Sequence, residues 1–151
     1  MKALSILLMV ILLLSFSMLL YDKITGHAVI REIRTVTKVI DGDTIVISGG
    51  RSVRLIGIDT AEKGEDCFEE AKNRLEELVL NKEVALEQDG ENKDKYGRLL
   101  RYVFVSGENI NVMLVDEGLA IASFYGNKRY AKEIAQAEEH AMENKIGCRW
   151  S

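Results

Sequence analysis

Proline is absent from the 151 residues, so every tight turn falls to Gly, Asn, Asp or Ser, and the twelve glycines carry most of the turn information. Two cysteines, Cys67 and Cys148, are too few for a domain stapled by several disulfides. Two histidines, His27 and His140, leave a structural zinc site short of four ligands unless it takes all four of these residues. Positive charge is also scarce, with 20 Lys plus Arg against 24 Asp plus Glu, a formal net charge of −4. The first 35 residues hold four of the bases and two of the acids, and the remainder therefore carries 16 against 22, about −6. Proteins that grip polyanions through diffuse electrostatics show the opposite balance, so any nucleic-acid partner has to be held locally. What is present, 47% hydrophobic and 29% charged residues, excludes a disordered chain, and the length excludes more than one sizeable core.

From Ala3 to Leu20 there are eighteen residues without a charge, preceded by Lys2. So many apolar residues on all faces find no partner in a small domain, and the stretch reads as an export or anchoring segment. Its length supports cleavage and retention equally, with Gly26-His27-Ala28 as the cleavage site. The expected organisation is a signal peptide or signal anchor over 1–28, a linker over 29–35 and a folded domain over 36–151. The domain is expected outside the cytoplasm, secreted or held at the membrane through residues 3–20, and monomeric.

Within the folded part, Arg34–Ile40, Thr44–Ser48 and Ser52–Ile58 are rich in Val, Ile and Thr. They are separated by Asp41-Gly42-Asp43 and Gly49-Gly50, which predicts three strands joined by tight turns. A loop follows over 59–66. Phe68, Ala71, Leu75, Leu78 and Val79 recur at helical spacing, Val84–Gln88 and Leu99–Val105 read as two more strands, and Asn111–Glu117 as a short helix closed by Gly118. A last helix is expected from about Lys128 to Glu143. The predicted fold is α+β, a five-stranded barrel of the oligonucleotide-binding (OB) type with about three packed helices, preceded by the N-terminal hydrophobic helix.

Three short motifs carry chemistry-bearing residues. Asp41-Gly42-Asp43-Thr44 reads on its own as a hairpin corner. In Arg54-Leu55-Ile56-Gly57-Ile58-Asp59-Thr60-Ala61-Glu62, strand alternation puts Arg54 on one face with Ile56 and Ile58, where a guanidinium calls for an anionic partner. That partner is either an internal carboxylate, Asp59 or Glu62, or a bound anion. Asp94-Lys95-Tyr96-Gly97-Arg98 is a charged turn entering a strand.

Together and in this order the motifs, with Gly118-Leu119-Ala120 and the closing Trp150-Ser151, resemble the staphylococcal nuclease (thermonuclease) family from roughly Thr35 to Ser151. The resemblance implies a metal-dependent phosphodiesterase, an endonuclease acting on DNA, RNA or both, that cleaves on the 5′-oxygen side and leaves 3′-phosphates. It implies Asp43, Asp59 and the carbonyl of Thr60 as calcium ligands, and Glu62 as the base that activates water. Arg54 and Arg98 would hold the scissile phosphate, while Lys95 and Tyr96 would contact a terminal phosphate. Phe124 and Tyr125 stand near the family's tyrosine pair, Tyr125 as a nucleotide-binding residue and Phe124 as a core side chain. Ala61 replaces the family's proline, which frees the backbone beside Glu62.

An exported chain permits a disulfide between Cys67 and Cys148, and two buried free thiols are the other reading. Neither has a histidine partner in the sequence that would make it a nucleophile. Two further readings of function stand beside the nuclease. One is an inactive nucleotide- or nucleic-acid-binding barrel of the OB type at the cell envelope, which would tolerate Glu62→Gln. The other is an envelope-attached interaction domain, supported by the acidic balance.

Overall fold

The computed structural model describes Met9, residues 31–124 and residues 128–151. The expected N-terminal helix, the cleavage site and the membrane contact through residues 3–20 fall almost wholly outside the described residues, as does Tyr125.

A long first strand, β1 (Arg31–Asp41), pairs antiparallel with both β2 (Thr44–Ile47) and, through its first half, β5 (Glu83–Glu87). Register shifts between Val36 and Lys38 and between Val39 and Asp41 bend it enough to serve two neighbours. β3 (Arg51–Leu55) continues from β2, and its parallel pairing with β6 (Leu99–Val105) closes the five strands into a barrel. Val36, Ile45, Ile47, Val53, Leu86 and Val103, all buried, fill it. The two-residue β7 (Glu108–Asn109) extends the sheet beyond β6.

Three helices pack on this frame. In α1 (Phe68–Val79) the predicted stripe is buried at Ala71, Leu75 and Val79. α2 (Ile110–Asp116) begins where the Asn109 side chain accepts from the Asn111 and Val112 amides, and ends at Gly118, whose positive φ turns the chain away. α3 (Ala131–Glu143) buries Ile134, Ala137 and Ala141.

Four sequence expectations change. The first strand starts at Arg31 and not at Arg34, so Arg31–Thr35, placed in the linker, belong to the domain, their pairing with β5 masked by the alternating charges of Arg31, Glu32 and Arg34. The run Ser52–Ile58 is two strands. It breaks at Ile56, because Gly57 at φ 80° swings the chain out of the barrel into β4 (Gly57–Thr60). A Cβ on Gly57 would lie 2.9 Å from Ile134 Cδ1, so the turn also lies close against α3. β4 pairs with β8 (Ala120–Ser123), a strand absent from the sequence reading, and takes in Asp59 and Thr60, expected as loop. Buried Asn111 secures the break, accepting from Val103 N at 3.0 Å and donating to Ile56 O at 2.8 Å. Finally, α3 starts at Ala131, three residues later than expected.

Candidate active site

The β1–β2 turn is pressed against the rest of the fold. A Cβ on Gly42 would meet Ala71 Cβ and Thr60 Oγ1, each at 2.8 Å, so only glycine lets the turn lie between α1 and β4. Asp43 is thereby driven against Thr60: its Oδ2 accepts from the Thr60 amide at 3.1 Å and from the Thr60 hydroxyl at 3.0 Å. Its Oδ1 accepts from Thr44 Oγ1 at 3.1 Å.

Arg54 leaves the end of β3 and curls round the strand break. Its Nη1 donates to Leu55 O (2.7 Å) and Ile58 O (3.0 Å). Its Nη2 donates to Asp59 Oδ1 (2.8 Å) and lies 3.0 Å from Asp43 Oδ2. The alternation argument for Arg54 therefore fails, since Ile58 belongs to another sheet. The demand for an anionic partner is met by Asp43 and Asp59, not Glu62.

Arg98 is placed by the Asp94 turn. Asp94 Oδ1 accepts from the Tyr96 and Arg98 amides, and Oδ2 receives Arg98 Nε at 2.6 Å. Burial alone would raise the Asp94 carboxyl, but these bonds outweigh it and hold the group below the usual carboxylate range. Arg98 Nη1 also reaches Thr44 Oγ1 at 3.5 Å. A polar chain thus runs Asp94, Arg98, Thr44, Asp43, Arg54, Asp59. Thr44 and Asp94, its two unforeseen members, are legible only as parts of their motifs.

Both arginines face an open cleft of about 380 Å³, lined also by Gly57, Leu100, Phe124 and Lys128. Phe124 is both a core-packing side chain and part of this wall. Lys128, with Nζ 3.4 Å from Asp89 O, had no signal in the sequence. Lys95 and Tyr96 are exposed beyond Arg98, and Glu62 stands on the exposed segment after β4, its amide donating to Glu65 Oε2 at 2.9 Å. Cys67 and Cys148 are joined as a disulfide, with Cα atoms 5.5 Å apart.

The Asp43 side chain is 8% exposed. Burial pushes its carboxyl up to about 6; Arg54 opposes the rise and Asp41 adds to it. A group whose folded-state pKa is raised favours folding below its unfolded value, near 3.8, and loses that contribution as pH rises through about 6. In the metal-free protein, the Tm of wild type relative to Asp43→Asn should therefore fall between pH 4 and pH 7. Parallel Tm profiles in chelator would refute this.

Among the described residues no three carboxylate, imidazole or thiolate side chains gather closely enough to hold a metal. The expected donor set is smaller, two carboxylates and a peptide carbonyl. It fits a hard divalent cation: Asp43 and Asp59 are oxygen donors that converge on one cationic nitrogen, the place of a positive charge.

Comparison with known proteins agrees with this geometry. The model of the family described as staphylococcal nuclease homologue matches residues 52–151. The chain is 37% identical to a thermonuclease of Staphylococcus intermedius over 90% of its length and 92% of that protein's. It is 38% identical to a thermonuclease of Staphylococcus hyicus, over 77% of this chain and 74% of the other. With the endonuclease YncB of Bacillus subtilis (strain 168) it shares 40% identity over 78% of its own length and 61% of the relative's. A match that takes in β3–β6 closure, the Arg54 and Arg98 motifs and all three helices makes this chain a member of the staphylococcal nuclease family.

Proposed function

We propose that this protein is a calcium-dependent nuclease that hydrolyses phosphodiester bonds of DNA, RNA or both on the 5′-oxygen side. The observation that carries the reading is the pair of arginines in one cleft, joined through Thr44 and Asp43. A phosphodiester repels an anionic nucleophile, and Arg54 and Arg98 put positive charge on its non-bridging oxygens, for which a guanidinium is suited bidentately. Glu62, its carboxylate in solvent, accepts a proton from the attacking water, a contribution of roughly 10²- to 10⁴-fold. The new bond joins that water's oxygen to phosphorus, the P–O5′ bond breaks, and the 5′-oxygen takes a proton from solvent to leave as a hydroxyl while the other fragment keeps a 3′-phosphate. Asp43, Asp59 and the Thr60 carbonyl hold calcium, which when bound supplies Lewis-acid stabilisation of the developing charge. So few protein ligands fit weak binding, on the order of 10⁻⁴ to 10⁻³ M, as in extracellular modules. Export, as a secreted or membrane-anchored monomer, is supported by the apolar run Ala3–Leu20 and by a disulfide, which persists in oxidising compartments.

The test is hydrolysis of single-stranded DNA and of RNA by the purified protein, with calcium and then with excess chelator. Cleavage should need calcium and fall by about 10²-fold or more in Glu62→Gln. Binding of a nucleoside bisphosphate without any cleavage would instead assign the site to binding alone.

A further inference from the structure

The cleft that holds Arg54 and Arg98 is lined by two further charged side chains, Lys128 and Glu91, with no part in holding the scissile phosphate or the metal. Both are placed by the loop after β5. Gln88 Nε2 donates to Gly90 O at 3.1 Å, which folds the loop on itself. Asp89 Oδ2 accepts from the Arg129 amide at 2.7 Å, which ties the loop to the chain entering α3. Lys128 lies across this tie. Its Nζ is 3.4 Å from Asp89 O, and a Cβ on Gly90 would stand 2.9 Å from the same nitrogen, so the ammonium packs against the Gly90 backbone. Glu91 follows Gly90 directly, and the loop therefore presents an ammonium and a carboxylate close together to one cleft.

Neither charge is used within the protein. Among the described residues Lys128 is in no ion pair and has the Asp89 peptide oxygen as its one acceptor, while the exposed Glu91 accepts no hydrogen bond. Two opposite charges this close that do not bond each other are both available to a third group. The same cleft has an apolar surface made by Ile56, Leu100 and Phe124, which suits the flat face of a base as the arginines suit a phosphate.

Resting on the nuclease reading, we propose that Lys128 and Glu91 read a base next to the scissile phosphate and select guanine. Phosphate contacts position a substrate, and base contacts specify it. The Watson–Crick edge of guanine presents an acceptor, O6, and then two donors, N1–H and the N2 amino group. The ammonium donates to O6, and the two carboxylate oxygens accept from N1–H and N2–H as a charge-assisted bidentate pair. No other base offers this order. Thymine and uracil have an acceptor in the third place, cytosine inverts all three groups, and adenine inverts the first two and has no polar group in the third. Each mismatch leaves a charged group of the cleft without its partner, which is how a site built for hydrogen bonds rejects the wrong ligand.

The experiment digests random-sequence single-stranded DNA and the matching RNA with the full-length protein and sequences the product ends. On one side of the cut guanine should exceed adenine about tenfold, the discrimination of a single bidentate base contact. Lys128→Met, which keeps the stem and removes the donors, and Glu91→Gln should each reduce that ratio severalfold. In a defined oligonucleotide, hypoxanthine in place of guanine removes only the N2 amino group. Wild type should cut there severalfold more slowly than at guanine, and Glu91→Gln should narrow the gap; the wild-type comparison does not depend on how a variant folds. Equal cleavage at guanine and adenine by wild type would overturn the proposal. So would a loss in Lys128→Met that is the same at all four bases, which would make Lys128 a contact to phosphate. Absence of cleavage by wild type, with deoxyguanosine 3′,5′-bisphosphate bound more tightly than its adenine counterpart and the difference lost in Lys128→Met, would overturn the nuclease reading and leave the base contact standing.

Discussion

Arg54→Ala should lower turnover by about 10³-fold and at the same time tighten calcium binding. The first effect follows from removing a preorganised cation from the oxygens where charge develops, a loss of roughly 10²- to 10³-fold for a single donor and more for a bidentate one. The second follows from where the guanidinium sits: its Nη2 is 2.8 Å from Asp59 and 3.0 Å from Asp43, the two carboxylates that calcium would use. With the competitor gone, the pair is left with no cation except the metal. The metal-free variant should also be less stable, by about 3 kcal/mol, because a largely buried carboxylate loses its partner and the Leu55 and Ile58 carbonyls lose their donor. Calcium should restore most of that loss. Calorimetric titration with calcium, thermal melts in chelator and steady-state hydrolysis read the three effects separately. Calcium affinity unchanged or weakened in the variant would mean that the guanidinium and the metal do not compete, and turnover reduced less than tenfold would remove Arg54 from the phosphate.

Much of this arrangement was legible in the sequence because it is local. Asp41-Gly42-Asp43-Thr44 is a turn wherever it occurs, and Asp94 to Arg98 closes on itself through an aspartate that caps its own following amides. The apolar stripe of α1 announces both the helix and its buried face. What could not be read was tertiary. Ile56-Gly57-Ile58 looks like uninterrupted strand, and nothing local tells a strand glycine from one at φ 80° that leaves the barrel. Ala120–Ser123 has little intrinsic strand preference and is strand only because β4 lies beside it. Since β4 carries Asp59 and Thr60, the same blind spot hid the contact of Thr60 with Asp43 and the way Arg54 is shared between two aspartates. The motifs thus named the groups, while the strand break decided which group meets which.

Reducing the Cys67–Cys148 disulfide, or replacing both cysteines by serine, should cost a large share of the domain's stability. The bond closes a sequence separation of 81 residues. In the loop-entropy description a bridge of that span contributes about 4 to 5 kcal/mol, which for a domain of this size lowers Tm by roughly 15 °C. Its position adds a functional consequence. Residues 62–66 are exposed, and the segment is pinned only at its ends, by buried Ala61 and buried Cys67. Cys148 in turn stands on a fixed point: a Cβ on Gly118 would overlap the Ile146 carbonyl oxygen and one on Gly147 the Glu117 carbonyl oxygen, so the C-terminal turn and the end of α2 are in backbone contact. Glu62 is therefore positioned from one side by β4 and from the other by a covalent tie to that contact. Below the melting temperature of the reduced protein, dithiothreitol should lower kcat severalfold with little change in KM, because the residues proposed to bind substrate and metal, Arg54, Arg98, Asp43 and Asp59, lie on β3, β4, the start of β6 and the β1–β2 turn, none of which the disulfide holds directly. Glu62→Gln, which lacks the proposed base, should show the Tm loss but no further fall in kcat on reduction. Equal Tm with and without the bond would contradict the stability argument, and a kcat that ignores reduction in wild type would show that β4 alone suffices to place Glu62.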